Sequence, residues 1–480
     1  MTDLDISTRA PARQGAPGRQ RSPLPVLMCG VFMIILDFFI VNVAMPAIQT
    51  GLHASSSAVE WVVAGYGLTC AVLLIGGGRL GDLYGRRRVF GIGLGLFVVA
   101  SAACGLAPTA AVLVAARLVQ GVGAALISPN VLSIIGVAYP GPARVRALTI
   151  YGLVMGLAAA GGQLIGGVLI QADILHLGWR TVFLINVPVG LAALAFARRQ
   201  VTESKGAQAQ PGTSRIAQLD LGGLLLVTAA LTALVLPLVE GTALHWPTWT
   251  WVSLAATPAL LAAFAAWELR RTRRGRPVLL ELGLLRSQGL GAGLFTQLAF
   301  WCGQASYFLV LALYLQSGRG LDALQAGLVF SILAAAYLAT SMRAPALTLR
   351  YGRSLIAVGA LTLAAGHGLV LLAVLAGGGI GWLVPGLVLA GAGMGLTVTP
   401  LTTTVLAHAR PERAGAVSGV LSTMQQVGGA LGVAVTGVIF FGALHGADGY
   451  TRGFELSLAQ LGVLLVVVAG LTRLLPRQRG

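Results

Sequence analysis

Two charged residues lie where a chain this apolar has least use for charge. Asp37 falls inside the run Leu36-Asp37-Phe38-Phe39-Ile40-Val41-Asn42, and Arg117 inside Val114-Ala115-Ala116-Arg117-Leu118-Val119-Gln120. At the centre of a membrane span such a side chain costs about 3 kcal/mol on insertion scales. A group kept at that cost faces an aqueous cavity, takes up a proton, or pairs with an opposite charge. A carboxylate can accept and release a proton. A guanidinium keeps its charge and must find an acceptor, either a carboxylate or a backbone carbonyl. The two types together suit a proton or cation site. The plainer roles are a hydrogen bond to a neighbouring helix for Asp37 and snorkelling to an interface for Arg117. Gln120, Gly121 and Gly123 beside the arginine favour a packed interior face.

A second constellation is the loop Gly78-Arg79-Leu80-Gly81-Asp82-Leu83-Tyr84-Gly85-Arg86-Arg87-Arg88, with one Asp and four Arg between two apolar runs. Charge of that density stays at a membrane surface. Its glycines let two helices and their turn approach closely, and Asp82 can pair with an arginine or meet a helix N-terminus. The loop resembles a signature of the major facilitator superfamily, which implies a gate built from Gly78, Asp82, Gly85, Arg86 and Arg87. In that gate Asp82 would hold the cytoplasmic ends of the two halves together in the outward-open state, while Arg86 to Arg88 would meet anionic lipid headgroups.

Elements that could hold these residues must be membrane helices. Of 480 residues, 56% are hydrophobic and only 10% charged, and the mean hydropathy is +0.84; a soluble domain carries about 25% charged residues. A net charge of +17 invites a nucleic-acid reading. The arginines, however, fall in the tails and in alternate short loops, the positive-inside pattern, which excludes that partner. Cys29, Cys70, Cys104 and Cys302 lie in apolar runs without metal or CxxC spacing and read as free, buried thiols.

At about 20 apolar residues per crossing, spans fit near 25–46, 58–80, 88–107, 110–136, 147–170 and 180–198, then near 219–240 and 249–269. Six more fit near 289–315, 323–347, 353–376, 381–407, 414–443 and 454–475. The organisation is a disordered cytoplasmic tail without a cleavable signal (1–24), an N-terminal six-helix half (25–198) and a cytoplasmic linker (199–218). Two inserted helices (219–269), a basic cytoplasmic loop (270–288), a C-terminal six-helix half (289–475) and a short cytoplasmic tail (476–480) follow. Loop charge puts both termini in the cytoplasm, with Trp179, Trp246, Trp249, Trp251 and Trp382 in an outer aromatic belt. Arg350-Tyr351-Gly352-Arg353 echoes Leu83-Tyr84-Gly85-Arg86, a weak repeat that fits two halves around a midplane site. Leu349 stands where the first copy has Asp82, so only the N-terminal loop offers an acidic contact.

On these residues the chain resembles the major facilitator superfamily, and within it the fourteen-span drug:proton antiporters. Loop 78–88 is similar to the superfamily's loop signature except at Leu83, where a basic residue is usual. Leu113 to Ala125 resembles the fourth-span signature, which implies a role in proton transfer for Arg117. Leu36-Asp37 with Val41 to Pro46, and Trp179-Arg180-Thr181-Val182-Phe183-Leu184-Ile185-Asn186-Val187-Pro188-Val189-Gly190, resemble signatures of the fourteen-span family. In the fifth span Gln163 occupies the place of a usual proline, and in the thirteenth Gln425 that of an arginine. The resemblance implies an all-α integral membrane protein of the major facilitator fold, with two six-helix halves plus two inserted helices, and not an enzyme.

The function it implies is efflux of an amphipathic or lipophilic drug or secondary metabolite by alternating access, in exchange for protons. No cofactor is required, since the proton gradient drives it. Asp37 and Arg117 would couple the proton. Asn42, Tyr66, Gln120, Asn130, Gln163, Trp301, Gln304, Tyr307 and Gln425 would line an amphipathic pocket. The protein would be a monomer of the bacterial plasma membrane. A proton-coupled nutrient importer on the same fold is the rival, for which the missing proline speaks; six scattered His argue against a membrane-embedded enzyme.

Overall fold

In a computed structural model of the chain, the described residues are 22–140, 142–204, 220–241, 243–276, 278–280, 282–283, 289–407, 414–444 and 448–475. All regular structure among them is helical. The helices are α1 (Leu24–Gly51), α2 (Ser56–Tyr84), α3 (Arg86–Gly105), α4 (Ala110–Ala138), α5 (Pro142–Ala172), α6 (Gly178–Gln200), α7 (Leu221–Gly241) and α8 (Thr248–Arg273). They continue as α9 (Leu290–Gly318), α10 (Ala323–Tyr351), α11 (Arg353–Leu375), α12 (Ile380–Ala407), α13 (Ala414–Gly442) and α14 (Gly449–Leu471). Thirteen are long and apolar enough to cross a membrane unaided. The fourteenth, α5, is bent by 43° between Ile150–Ala159 and Gly161–Ala172. The readings of 1–21, 205–219, 284–288 and 476–480 as tails or loops, and of Arg410 and Arg413 as loop charges, lie outside the described residues.

Local chemistry sets the helix ends. Ser55 caps α2 by accepting from the Ala58 amide, Thr109 caps α4 through Val112, and Asp322 forms a capping box with Gln325 at the start of α10. These caps mark the arginine-poor end of the bundle. At the other, arginine-rich end, Gly85 (φ 110°) and Gly352 (φ 54°) make the tight turns that the two related loops need. Proline is absent from the bend of α5. Gly161 and Gly162 sit there instead, and a Cβ on Gly162 would come within 3.1 Å of Phe39 on α1.

Glycines also set how closely the helices approach one another. A Cβ on Gly77 would stand 2.2 Å from the Ala125 carbonyl, and one on Gly121 would stand 2.6 Å from that of Tyr66, so α2 and α4 touch backbone to backbone. Gly123 does the same against Phe97 of α3. This three-helix contact fixes the depth and direction of Arg117 on α4.

Helices α1–α6 and α9–α14 meet through α5 on α10, α2 on α13 and α1 on α9. The joining contacts run from mid-bundle toward the arginine-poor end. Gly167 lies on the backbone of Ala323 and Leu324, Gly327 on that of Gln163, and Gln316 donates to the Val43 carbonyl at 2.9 Å. The hairpin α7–α8 packs outside this core, with α7 against both α2 and α13 along an apolar seam that includes Leu68, Val72, Val235, Val239, Ala430 and Ala434. Of the tryptophans assigned to an outer belt, Trp251 and Trp382 are exposed, but Trp179 is 5% exposed. It is a packing residue, edge-on to Phe183 and under the Arg180 guanidinium at 4.5 Å, with Gly51 making room for its indole.

Candidate functional site

Asp37 lies in the middle of α1 and Arg117 on α4, both 0% exposed, and the fold brings them into one ion pair of 2.5 Å between Oδ2 and Nη1. The pair sits in a polar network that fills nearly every valence. Asp37 Oδ1 accepts from Gln120 Nε2 at 2.9 Å and from Asn186 Nδ2 at 2.8 Å. Gln120 Oε1 takes a second bond from Arg117 at 2.7 Å, and its amide also donates to Ser101 Oγ at 2.8 Å. Arg117 Nε donates to the Val62 carbonyl of α2 at 2.8 Å, and its guanidinium lies 4.3 Å from the centre of the Tyr66 ring. Nη2 of Arg117 has no hydrogen-bond partner, so one donor of the fork stays free. Helices α1, α2, α3, α4 and α6 thus converge on a single carboxylate.

A buried charge pair is held only when geometry and extra hydrogen bonds offset its desolvation. Here a fixed cation and two amides surround a group that can change charge. Such an arrangement can exchange a proton for the arginine's contact if the helices shift. Asn186 and Ser101 complete the network although sequence reading singled out neither. Asn186 did stand inside the Trp179–Gly190 segment, and an amide at that place in a span was the available signal.

A family model described as Major Facilitator Superfamily matches residues 27–433. The chain belongs to that superfamily. It is 40% identical over 436 residues to a Streptomyces coelicolor protein named a probable actinorhodin transporter, covering 89% of this chain and 73% of that protein. It is 35% identical over 436 residues to the tetracenomycin C resistance and export protein of Streptomyces glaucescens, covering 89% and 78%. Among solved structures, a peptide transporter crystallised with sulfate superposes with a TM-score of 0.67 at 17% identity, covering 94% of this chain and 95% of that one, a likeness of fold. As a superfamily member the chain is a multi-span membrane transporter and not an enzyme.

The other expected pocket residues divide into groups. Tyr66 and Gln120 belong to the ion-pair network. Gln163, at the proline position of α5, donates to the Phe39 carbonyl of α1 at 2.8 Å and borders a small apolar crevice with Phe308, Phe330 and Tyr337. Asn42 turns its amide back onto the carbonyls of Phe38 and Phe39. Gln304 and Tyr307 are buried on α9, where the Tyr307 ring lies 4.2 Å from that of His367, tilted by 32°; the Gln304 Oε1, the Tyr307 hydroxyl and both His367 nitrogens lack hydrogen-bond partners among the described residues. Trp301 donates to Gln297 at 3.0 Å, and Gln425 is half-buried on α13. Asn130 corrects the expectation: it is fully buried, donates to the carbonyls of Gly77 and Leu126, and fills the notch left by Gly81. It ties α4 to α2 instead of lining a pocket.

The loop 78–88 makes its own set of contacts in this conformation. Asp82 is half exposed and pairs with Arg86 one turn on, at 2.8 Å. Arg87 reaches Glu203 at 3.7 Å and the Val201 carbonyl at 3.4 Å, while the Arg86 amide donates to the Ser204 carbonyl. Gly78 lies on Pro129, and Gly85 faces the Glu203 carboxylate. In this conformation Arg86 and Arg87 face the chain's own carboxylates, and Asp82 is engaged within its own half. Arg79 is the member of the loop that reaches out, donating to the Val278 carbonyl at 2.7 Å.

Proposed function

We propose that this transporter exports an amphipathic or lipophilic small molecule across the plasma membrane, exchanging it for protons. The observation that carries the reading is the Asp37–Arg117 pair. It is a titratable group held at mid-span by a cation that cannot titrate, joined to five helices. The relatives named for export of actinorhodin and tetracenomycin C support the direction and the substrate class. Positive loops place the arginine-rich end, and with it both termini, in the cytoplasm. The arginine-poor ends are then the outer ends, and their contacts make this conformation closed to the outside.

In the cycle, opening of the outer ends draws α1 away from α4 and releases Asp37 from Arg117. The freed carboxylate takes a proton, and Arg117 keeps its carbonyl and amide contacts. Return to the closed state re-forms the ion pair and expels the proton as substrate is reloaded. The apolar crevice beside Gln163, Phe308 and Tyr337 offers surface to the apolar part of the substrate. The test is efflux of a fluorescent lipophilic cation from cells expressing the chain, with and without a protonophore. Export should stop with the protonophore and in Asp37→Asn. Proton-driven export that survives Asp37→Asn would refute the coupling role.

A further inference from the structure

Glu60 is a carboxylate that the exchange at Asp37 does not use. It is the fifth residue of α2, near the arginine-poor end, and is 1% exposed. Its Oε2 is buried with no hydrogen-bond partner among the described residues. The carboxylate lies directly on Gly437 of α13, where a Cβ would stand 2.2 Å from that oxygen. From α7, Glu240 acts on it electrostatically, while Glu240 itself accepts from Trp61 Nε1 at 2.8 Å.

Among the described residues neither carboxylate has an ion-pair partner. Residues 414–442 of α13 include no ionisable side chain, and α7 has none besides Glu240. Helix α4 carries only Arg117, which is turned onto Asp37 of α1 and Gln120; the arginines of α3, and Arg79 and Asp82 of α2 itself, lie at the other end. Between these groups on α2 come only Tyr66 and Cys70, both buried. A carboxylate buried without a cation and beside a like charge is costly to keep ionised, and a proton on Glu60 removes the conflict. Their burial also depends on conformation. Gly437 belongs to the opposite six-helix set, so parting of the arginine-poor ends uncovers Glu60 to water.

We propose that Glu60, beside the like charge of Glu240, is a second proton-binding site that is open to the arginine-poor side when those ends part. Carrying its proton, Glu60 packs on Gly437 and the ends close; without it, the bare carboxylate resists burial and holds them open. The proposal rests on the alternating-access reading and gives the exchange an acceptor on the side from which protons enter.

The test uses the full chain in lipid nanodiscs with Asp37→Asn, which removes the opposite proton linkage of that site, its native cysteines replaced, with spin labels on Leu52→Cys and Ala443→Cys and no substrate present. The ratio of open to closed ends should rise with pH, by up to about tenfold per unit while one coupled proton titrates. Glu60→Gln, a neutral isostere, should stay closed throughout. Glu240→Gln removes a like charge and should move the midpoint to lower pH. A parent-like titration in Glu60→Gln overturns the proposal; should that variant not fold, an unshifted midpoint in Glu240→Gln does so. Because no substrate is involved, failure of the export assay with this titration intact refutes only the exporter reading.

Discussion

Asp37 and Arg117 meet in a site where almost every donor and acceptor is used, so the effect of removing one depends on what it leaves behind. Arg117→Ala strands a buried carboxylate and should cost about 3–5 kcal/mol, read as a lower thermal midpoint in detergent. Adding Asp37→Asn to that variant removes the stranded charge and should recover much of the stability while transport stays absent. If the double variant is as unstable as Arg117→Ala, the pair is not the source of the loss. Both residues were legible in the sequence because a charge inside an apolar run has few explanations. Asn186 and Ser101 were not, since neutral polar side chains are common in spans and only their neighbours give them a task. Glu60 escaped for another reason: four residues from a helix start it reads as an interfacial charge, and only the packing of α13 and α7 reveals it as buried.

The helices position the site through close approach, and glycine is what permits it. Gly121→Ala should push α4 off the Tyr66 carbonyl, displace Arg117 and destabilise by about 1–3 kcal/mol, again measured as thermal unfolding. Gly167→Val acts elsewhere. Its side chain would strike the Ala323 carbonyl across the α5–α10 contact and should shift the population toward parted outer ends, seen as increased labelling of a cysteine introduced at Leu324. Span number and order followed from hydropathy because lipid demands long apolar runs. The bend of α5 did not: without proline the sequence implies a straight helix, whereas paired glycines supply the flexibility. Trp179 and Asn130 were misread for a shared reason, since side chains suited to an interface or a pocket serve equally well as packing between helices.

At the scale of the molecule, the proposed topology of fourteen crossings, an even number, would put both termini on one face. Epitope tags at the two termini should therefore both resist an impermeant reagent in intact cells and both react in inverted vesicles; reaction of only one would break the fourteen-crossing topology. The whole-molecule feature with the widest consequence is the place of α7, laid along the junction of α2 and α13. Among the described residues a second such junction, α5 against α10, has no helix laid over it as α7 is laid over the first. Exposed Leu153, Leu157 and Leu328 border that side. A greasy molecule dissolved among the acyl chains thus finds one side door boarded over and the other bare. For the lipophilic cargo proposed above, the inserted hairpin would make lateral entry one-sided and steer it toward the face where Gln163 and Tyr337 stand.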